Sequence, residues 1–137
     1  MTLHFLLDTN ILAELLRPAP NAGVLDNFRA HYSESAIAAV VWHEMLFGCY
    51  RLPASRKRAA IEAFLFDVVA PAMPILPYDA NAARWHAAER ARLTALGKTP
   101  AFADGQIAAI AAVNDLTLVT FNTQDFENFG EIQVTTW

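Results

Sequence analysis

Leu3-His4-Phe5-Leu6-Leu7-Asp8-Thr9-Asn10-Ile11-Leu12 is the stretch that decides the fold. An apolar run from Leu3 to Leu7 stops abruptly at Asp8-Thr9-Asn10, and Ile11, Leu12, Leu15 and Leu16 follow at helical spacing up to Pro18. A run this short, closed by polar residues and continued at a 3.6-residue period, predicts a buried strand feeding a helix. The same alternation carries on outward. Asn21 to His31 reads as a helix with Val24, Leu25 and Phe28 on one side, and Ser35-Ala36-Ile37 as a short strand. Val40 to Tyr50 is helical in spacing, and Ser55 is placed to cap a helix carrying Ile61, Phe64, Leu65 and Val68.

Farther along, Met73-Pro74-Ile75-Leu76 predicts a strand with its proline at the start. Asp79 opens an alanine-rich helix halted by Gly97, and Lys98 to Ala103 is a loop. Asp104 to Asn114 predicts a further helix, Leu116 to Phe121 a strand, and Ile132 to Thr135 the last strand. Strands alternating with helices imply an α/β fold, a mostly parallel sheet of about four to five strands covered on both faces. The 137 residues suit one domain, 1–137, with no repeat or linker.

Composition excludes several classes. At 55% hydrophobic and 18% charged, the chain is too apolar to be disordered. Its net charge of −4 argues against binding nucleic acid through bulk positive charge. A lone Cys49 cannot form an internal disulfide, and no Cys/His cluster suggests zinc. The longest apolar stretch, Ala36 to Trp42, is far shorter than the roughly 20 residues of a membrane span. The first residues lack the basic start of a signal peptide, so the expectation is a cytoplasmic protein.

Four acids stand out. In open α/β sheets, sites gather beyond the carboxyl ends of the strands. Asp8 ends the first predicted strand, Asp104 opens the helix before the Leu116–Phe121 strand, and Asp125 lies just beyond that strand. Glu44 falls between Val40 and Phe47, on the predicted apolar stripe of its helix. Each has a plain structural role open to it: Asp8 and Asp104 as helix caps, Asp125 as a turn residue, Glu44 as a partner of Arg51 or Arg84. Taken together, converging carboxylates would repel one another unless a cation neutralised them, and hard ions such as Mg²⁺ or Mn²⁺ take oxygen ligands of this kind.

The segment Phe5 to Leu12 resembles the opening of PIN-domain ribonucleases, specifically the VapC-type toxins of bacterial toxin–antitoxin pairs. Three further segments resemble that family in order: Trp42-His43-Glu44-Met45-Leu46-Phe47-Gly48, Phe102-Ala103-Asp104-Gly105-Gln106-Ile107 running on to Ala111, and Leu118-Val119-Thr120-Phe121-Asn122-Thr123-Gln124-Asp125-Phe126. The resemblance implies a PIN-like three-layer α/β/α fold and an endoribonuclease that cleaves RNA with Mg²⁺ or Mn²⁺. It implies Asp8, Glu44, Asp104 and Asp125 as the metal-site carboxylates, with Thr9, Asn10, Thr120 and Asn122 as supporting polar residues. It also implies a cognate antitoxin and a homodimer. Two positions depart from the pattern: Phe121 stands where a basic residue is common, and Ala38-Ala39-Val40-Val41 lacks the hydroxyl often found before the glutamate.

On this basis Asp8, Glu44 and Asp104 are expected to hold a first ion, with Asp125 completing the site or helping a second, and a metal-activated water to leave a 5′-phosphate and a 3′-hydroxyl. Two rivals remain. A small-molecule phosphatase with an aspartyl nucleophile at Asp8 would usually carry a second acid two residues on, where this chain has Asn10. A catalytically silent module would only bind an antitoxin and regulate its operon. Among other polar residues, Arg56-Lys57-Arg58 reads as a solvated face or a contact for RNA phosphates, Arg84, Arg90 and Arg92 as cleft-lining residues or partners of Glu89, and His4, His43 and His86 as packing residues. Removing the four acids from the 14 leaves 10 against 10 basic residues, so the deficit of four is concentrated in the expected site.

Overall fold

The computed structural model describes residues 2–137. β1 (Phe5–Leu7) runs into α1 (Thr9–Leu15), and α2 (Ala22–His31) follows. A 3-10 turn at Tyr32–Glu34 leads into β2 (Ser35–Ala38) and α3 (Ala39–Tyr50). α4 (Arg56–Ala63) continues through a π-helical stretch, Phe64–Val69, into the single turn α5 (Ala70–Ala72) and then β3 (Ile75–Leu76). α6 (Ala80–Ala95) and α7 (Phe102–Val113) precede β4 (Thr117–Val119), and a 3-10 turn at Thr123–Phe126 leads to β5 (Gln133–Thr135).

The five strands form one sheet in the order β3-β2-β1-β4-β5, and every neighbouring pair is parallel. Leu6 of β1 pairs with Ala36 on one side and Leu118 on the other. Leu6, Leu7, Ile37, Leu118 and Val119 are all fully buried, which is why these strands read as continuous apolar runs. Each such side chain contributes about 2 kcal/mol through burial. With this strand order, the right-handed rule for parallel crossovers puts α1 to α4 on one face of the sheet and α6 with α7 on the other. The packing agrees: α1 lies on α2 and α3, α3 on α4, and α6 on α7.

Local chemistry sets the element ends. Asn21, Ser55 and Asp79 cap their helices by accepting from the backbone N–H of Val24, Arg58 and Ala82. Gly97, at φ 72°, closes α6, with Lys98 N–H donating to Leu93 O at 2.8 Å and Gly97 N–H to Thr94 O at 3.0 Å, a Schellman arrangement. Several boundaries differ from expectation: β3 starts at Ile75 rather than Met73 and β5 at Gln133 rather than Ile132. The last long helix begins at Phe102 rather than Asp104, so Asp104 lies within its first turn and caps nothing. The strand expected from Leu116 to Phe121 is trimmed to Thr117–Val119, although the Thr120 N–H still donates to Thr135 O at 3.0 Å.

The strand order reverses between β1 and β4. From β1 the chain works outward to β2 and β3, whereas β4 and β5 lie on the other side. A parallel sheet opens a crevice at such a switch point, beyond the carboxyl ends of the strands. Asp8 and Thr120 are the first residues past β1 and β4.

Candidate active site

Asp8 is 7% exposed and caps α1, its Oδ1 accepting the Thr9 N–H at 2.8 Å. Its Oδ2 accepts the Thr120 hydroxyl at 2.9 Å, a bond that spans the switch point. The cap expected of Asp8 is therefore present, and it leaves the second carboxylate oxygen to Thr120. Thr120 is fully buried, and its oxygen also accepts from Asn10 Nδ2 at 3.1 Å and from the Asn122 N–H at 3.0 Å. Asn10 closes the circuit, its Oδ1 accepting the Phe121 N–H at 3.1 Å. One hydroxyl thus pins the β1–α1 junction to the segment after β4.

Replacing Thr120 with Val keeps the shape and removes that hub. It leaves a buried carboxylate oxygen without its donor, and two N–H groups without their acceptor, at an expected cost of about 2 kcal/mol. Chemical denaturation checks this, with Thr120→Ser expected to retain most of the stability.

Asp8, Thr9, Asn10, Val40, Glu44, Asp104 and Asn122 line a cleft of about 350 Å³ at this crevice. Asp125 borders an adjoining cavity of about 400 Å³, with Asp104 on the wall of both. Three of the four expected carboxylates therefore share one cleft, and the fourth is reached through Asp104. A larger cavity, about 570 Å³, opens beside His4, Glu34, Asp115 and Glu131. It lies at the amino ends of the strands, away from the switch point, where open α/β sheets do not place their sites.

The electrostatics single out Asp104. It stands at the N-terminal turn of α7, where the helix dipole favours a negative charge. Burial nevertheless pushes its pKa up to about 6, with the charges of Asp125 and Asp8 adding to the effect. Burial also raises Asp8, against the lowering influence of its bonds to Thr9 and Thr120, and Asp125 raises it further. The charge of Asp125 makes both Asp8 and Asp104 harder to ionise, and Asp8 does the same to Asp104, a condition a cation would relieve.

Glu44 departs from expectation in its surroundings. The buried stripe of α3 is Val41, Met45 and Cys49, and Glu44 is exposed at the cleft margin. The carboxylate is solvated, and it pairs with neither Arg51 nor Arg84 among the described residues. His43, expected to pack, is likewise exposed and stacks on Phe47. Asp125 is exposed within its 3-10 turn, which buried Phe126 anchors.

Among the described residues, no three acids, histidines or cysteines stand close enough to share one ion as the side chains are arranged. The donor chemistry still fits a hard divalent cation. The charged groups of the cleft are carboxylates only, and two of them, Asp8 and Asp104, are raised by burial with the charge of Asp125 adding to it. Each oxygen of Asp8 has one donor and keeps a lone pair free.

Two contacts beyond the four acids shape this region, and both fit the roles expected of His86 and Arg92, packing and pairing with Glu89. His86, on α6, is buried against α7, with Tyr78 Oη at 2.8 Å from its Nδ1. Burial, aided by Arg90, lowers its pKa, so the ring is neutral at pH 7. Its Nε2 has no hydrogen-bond partner and faces Gly105, the residue after Asp104. Arg92 chelates Glu89 with two bonds, at 2.7 and 2.8 Å, and reaches Asn128 O at 2.9 Å, tying α6 to the segment after Asp125. The sequence spacing does suggest the second contact. The first depends on how two helices cross.

An all-parallel 3-2-1-4-5 sheet with acids lining its switch point defines a class of α/β domains with an acidic cleft. The chain belongs to the PIN-domain family, whose model matches residues 5–132. Its relatives include the VapC ribonuclease Y4jK of Sinorhizobium fredii, 33% identical over 134 residues and 96% of each chain. The toxin FitB of Neisseria gonorrhoeae is 35% identical over 124 residues, covering 88% of this chain and 89% of its own. Among solved structures, FitAcB from Neisseria gonorrhoeae aligns with a TM-score of 0.86 at 32% identity, over 95% of both chains. DNA-bound VapBC from Salmonella typhimurium aligns with a TM-score of 0.87 at 26% identity, over 99% of both. No helix among the described residues is long and apolar enough to cross a membrane.

Proposed function

We propose that this chain is a Mg²⁺- or Mn²⁺-dependent endoribonuclease, the toxin of a toxin–antitoxin pair, built as a single PIN-like unit over 1–137. The observation that carries the proposal is the cleft itself: Asp8, Glu44 and Asp104 line it, and Asp125 raises the pKa of both Asp8 and Asp104 from the adjoining cavity. Relatives support the substrate class. Besides the VapC ribonuclease named above, a tRNA(fMet)-specific endonuclease VapC of Shigella flexneri is 32% identical over 137 residues. They support the partner as well, since one solved relative from Mycobacterium tuberculosis, 27% identical, is described as a member of the VapBC family of toxin–antitoxin systems. A homodimer is part of the same proposal.

When bound, a divalent ion supplies charge neutralisation at the phosphate and lowers the pKa of water. The chain's residues do the rest. Thr9 and Thr120 hold Asp8 in one orientation, and Asn10 and Asn122 hold Thr120. Glu44 reaches the same cleft from α3, and no ion pair has to break for it to turn inward. Asp104 joins the two cavities, and Asp125 closes the outer side.

Purified protein incubated with RNA and Mn²⁺ is expected to cut it, and an Asp8→Asn variant to fail. Equal cleavage by both would overturn the proposal. A phosphatase remains the weaker alternative, because the second acid it would use is Asn10, already committed to Thr120 and Phe121. A silent module predicts that neither protein cuts.

A further inference from the structure

We propose that α6 fixes the separation of Asp104 and Asp125, with Glu89 and Arg92 as positioning residues for Asp125 and His86 as the positioning residue for Asp104. Resting on the nuclease proposal, this assigns what sets the geometry of its outer acids. Asp104 stands in the first turn of α7 and Asp125 in the 3-10 turn after β4, on opposite walls of the 400 Å³ cavity. The charge of Asp125 bears on Asp104, so without an ion the two segments push apart. Holding them at one spacing takes an element that grips both. α6 does so with two adjacent stripes, Trp85-Glu89-Arg92 and His86-Arg90-Leu93, each at i, i+4 and i+7.

The first stripe grips the segment that follows Asp125. Both oxygens of Glu89 are committed: Oε2 accepts Arg92 Nε at 2.7 Å, and Oε1 accepts Arg92 Nη2 at 2.8 Å and the Gly130 N–H at 2.7 Å. The same Nη2 donates to Asn128 O at 2.9 Å. The Arg92 bonds hold Glu89 below its ordinary carboxylate range, so the clamp is charged on both sides at neutral pH. Trp85 donates to Glu131 Oε2 at 3.3 Å and packs on Phe129, whose N–H returns to Phe126 O in the turn of Asp125. Glu131 itself sits at φ 65°, a backbone state that a non-glycine residue keeps only where its surroundings hold it. An exposed stretch of chain is thus tied to α6 at Asn128, Gly130 and Glu131.

The second stripe grips α7 where that helix is least secured. Ala101 gives its N-terminus no side-chain cap. His86 packs against Gly105 so closely that no side chain fits between them, and lies 4.9 Å from the Phe102 ring, centroid to centroid. Phe102 and Gly105 flank Asp104. Tyr78 fixes the imidazole from behind at 2.8 Å, and the Arg90 guanidinium covers Phe102 at 5.4 Å. Leu93, between the two grips, is buried and forms part of the cavity wall that Asp104 and Asp125 share.

A hard divalent ion is exacting about ligand geometry, Mg²⁺ above all. Acids on loose segments would have to be ordered when the ion arrives, and that ordering subtracts from affinity. Groups that orient ligands without touching the metal change affinity by roughly 10- to 100-fold when removed. Glu89, Arg92 and His86 line neither the cleft nor the adjoining cavity, so they act only through the acids they place.

The test takes the intact, metal-free protein and reads Mn²⁺ affinity by titration calorimetry and hydrogen exchange by mass spectrometry. Arg92→Ala is expected to weaken Mn²⁺ binding about ten-fold. It should also speed exchange at residues 123–131 while β1, β2 and α3 exchange as in the parent. In cleavage, the Mn²⁺ concentration giving half the maximal rate should rise by a similar factor, with the rate at saturating Mn²⁺ close to the parent's. Arg92→Lys keeps the charge without the fork and should recover only part of the affinity. Tyr78→Phe, which frees the His86 ring, should weaken Mn²⁺ in the same way and speed exchange at the start of α7 instead. Arg17→Ala, which breaks the Glu14 pair at the end of α1, should leave Mn²⁺ affinity unchanged.

The inference falls if Arg92→Ala binds Mn²⁺ as the parent does, or if its faster exchange spreads evenly over the chain, the mark of a general stabiliser. It falls equally if Arg17→Ala weakens Mn²⁺ as much. If Asp104→Asn abolishes Mn²⁺ binding and cleavage while Arg92→Ala and Tyr78→Phe bind normally, the nuclease proposal stands and this one does not. If the parent neither binds Mn²⁺ nor cuts RNA, the nuclease proposal is lost and this one with it.

Discussion

An Asp104→Asn variant is expected to lose cleavage by roughly 100-fold or more and, in chelator, to melt higher than wild type. The loss follows because cation stabilisation of a phosphodiester transition state is worth several kcal/mol, and each 1.36 kcal/mol is ten-fold in rate. The gain follows from the raised pKa. Asp104 titrates at its ordinary value of 3.8 when unfolded and at about 6 when folded, so the folded state binds the proton more tightly. Its contribution is most favourable below pH 3.8, declines as pH rises to about 6, and the full cost is present at neutral pH. Asp104 is partly open to water, so screening reduces the nominal shift to an expected 1–2 kcal/mol, roughly. Asparagine removes that cost, raising the melting temperature by about 4 °C at pH 7.5. At pH 4 the difference should nearly vanish. Equal or lower stability of Asp104→Asn at pH 7.5 would refute the burial cost and the smaller repulsion assigned to Asp104.

How legible the fold was depends on where packing follows the local pattern. β1, β2 and β4 are buried on both faces, so Phe5-Leu6-Leu7, Ser35-Ala36-Ile37 and Thr117-Leu118-Val119 could be read as short apolar runs between helices. Their joint direction, all parallel, followed from the long helical connections. Two features escaped. The π-helical stretch at Phe64–Val69 carries no breaker residue: Leu65 and Val69 are drawn into the core by neighbours that sequence periodicity does not register. The start of α7 was misplaced because Ala101 has no side-chain cap, while the nearby Asp104 looked like one.

The site divides in the same way. Asp8 could be found because a carboxylate directly after a buried strand has one place to go, and the resemblance to PIN domains marked Thr120 and Asn10 as its supports. The setting of Glu44 was misread. α3 carries Val40, Val41, Trp42, Met45, Leu46 and Phe47, so apolar residues surround the helix and no stripe stands out. With Val41, Met45 and Cys49 facing the core, Glu44 is turned to the cleft margin. The pairing of Phe102 with Arg90 and His86 belongs to the crossing of α6 and α7, which no local pattern reports.

That crossing also sets the second large effect: Gly105→Ala is expected to destabilise the protein by about 3 kcal/mol and to abolish cleavage with it. A Cβ at 105 would stand 2.1 Å from His86 Nε2, 2.6 Å from Cδ2 and 2.9 Å from Cε1. Relief by a flexible neighbour is not available. The imidazole is 2% exposed, held by Tyr78 at one nitrogen and flanked by Phe102. Either α6 and α7 separate or the ring leaves its slot, and both displace Asp104, one residue away. A loss of this size lowers the melting temperature by about 10 °C. The mechanism is separable from a general helix effect, since alanine is otherwise the better helix former by about 1 kcal/mol. His86→Ala makes room for the added methyl while costing stability through the cavity it leaves. The double variant should therefore be more stable than the sum of the two single losses, by about 2 kcal/mol. Simple additivity in denaturant unfolding would show that Gly105 answers to something other than His86.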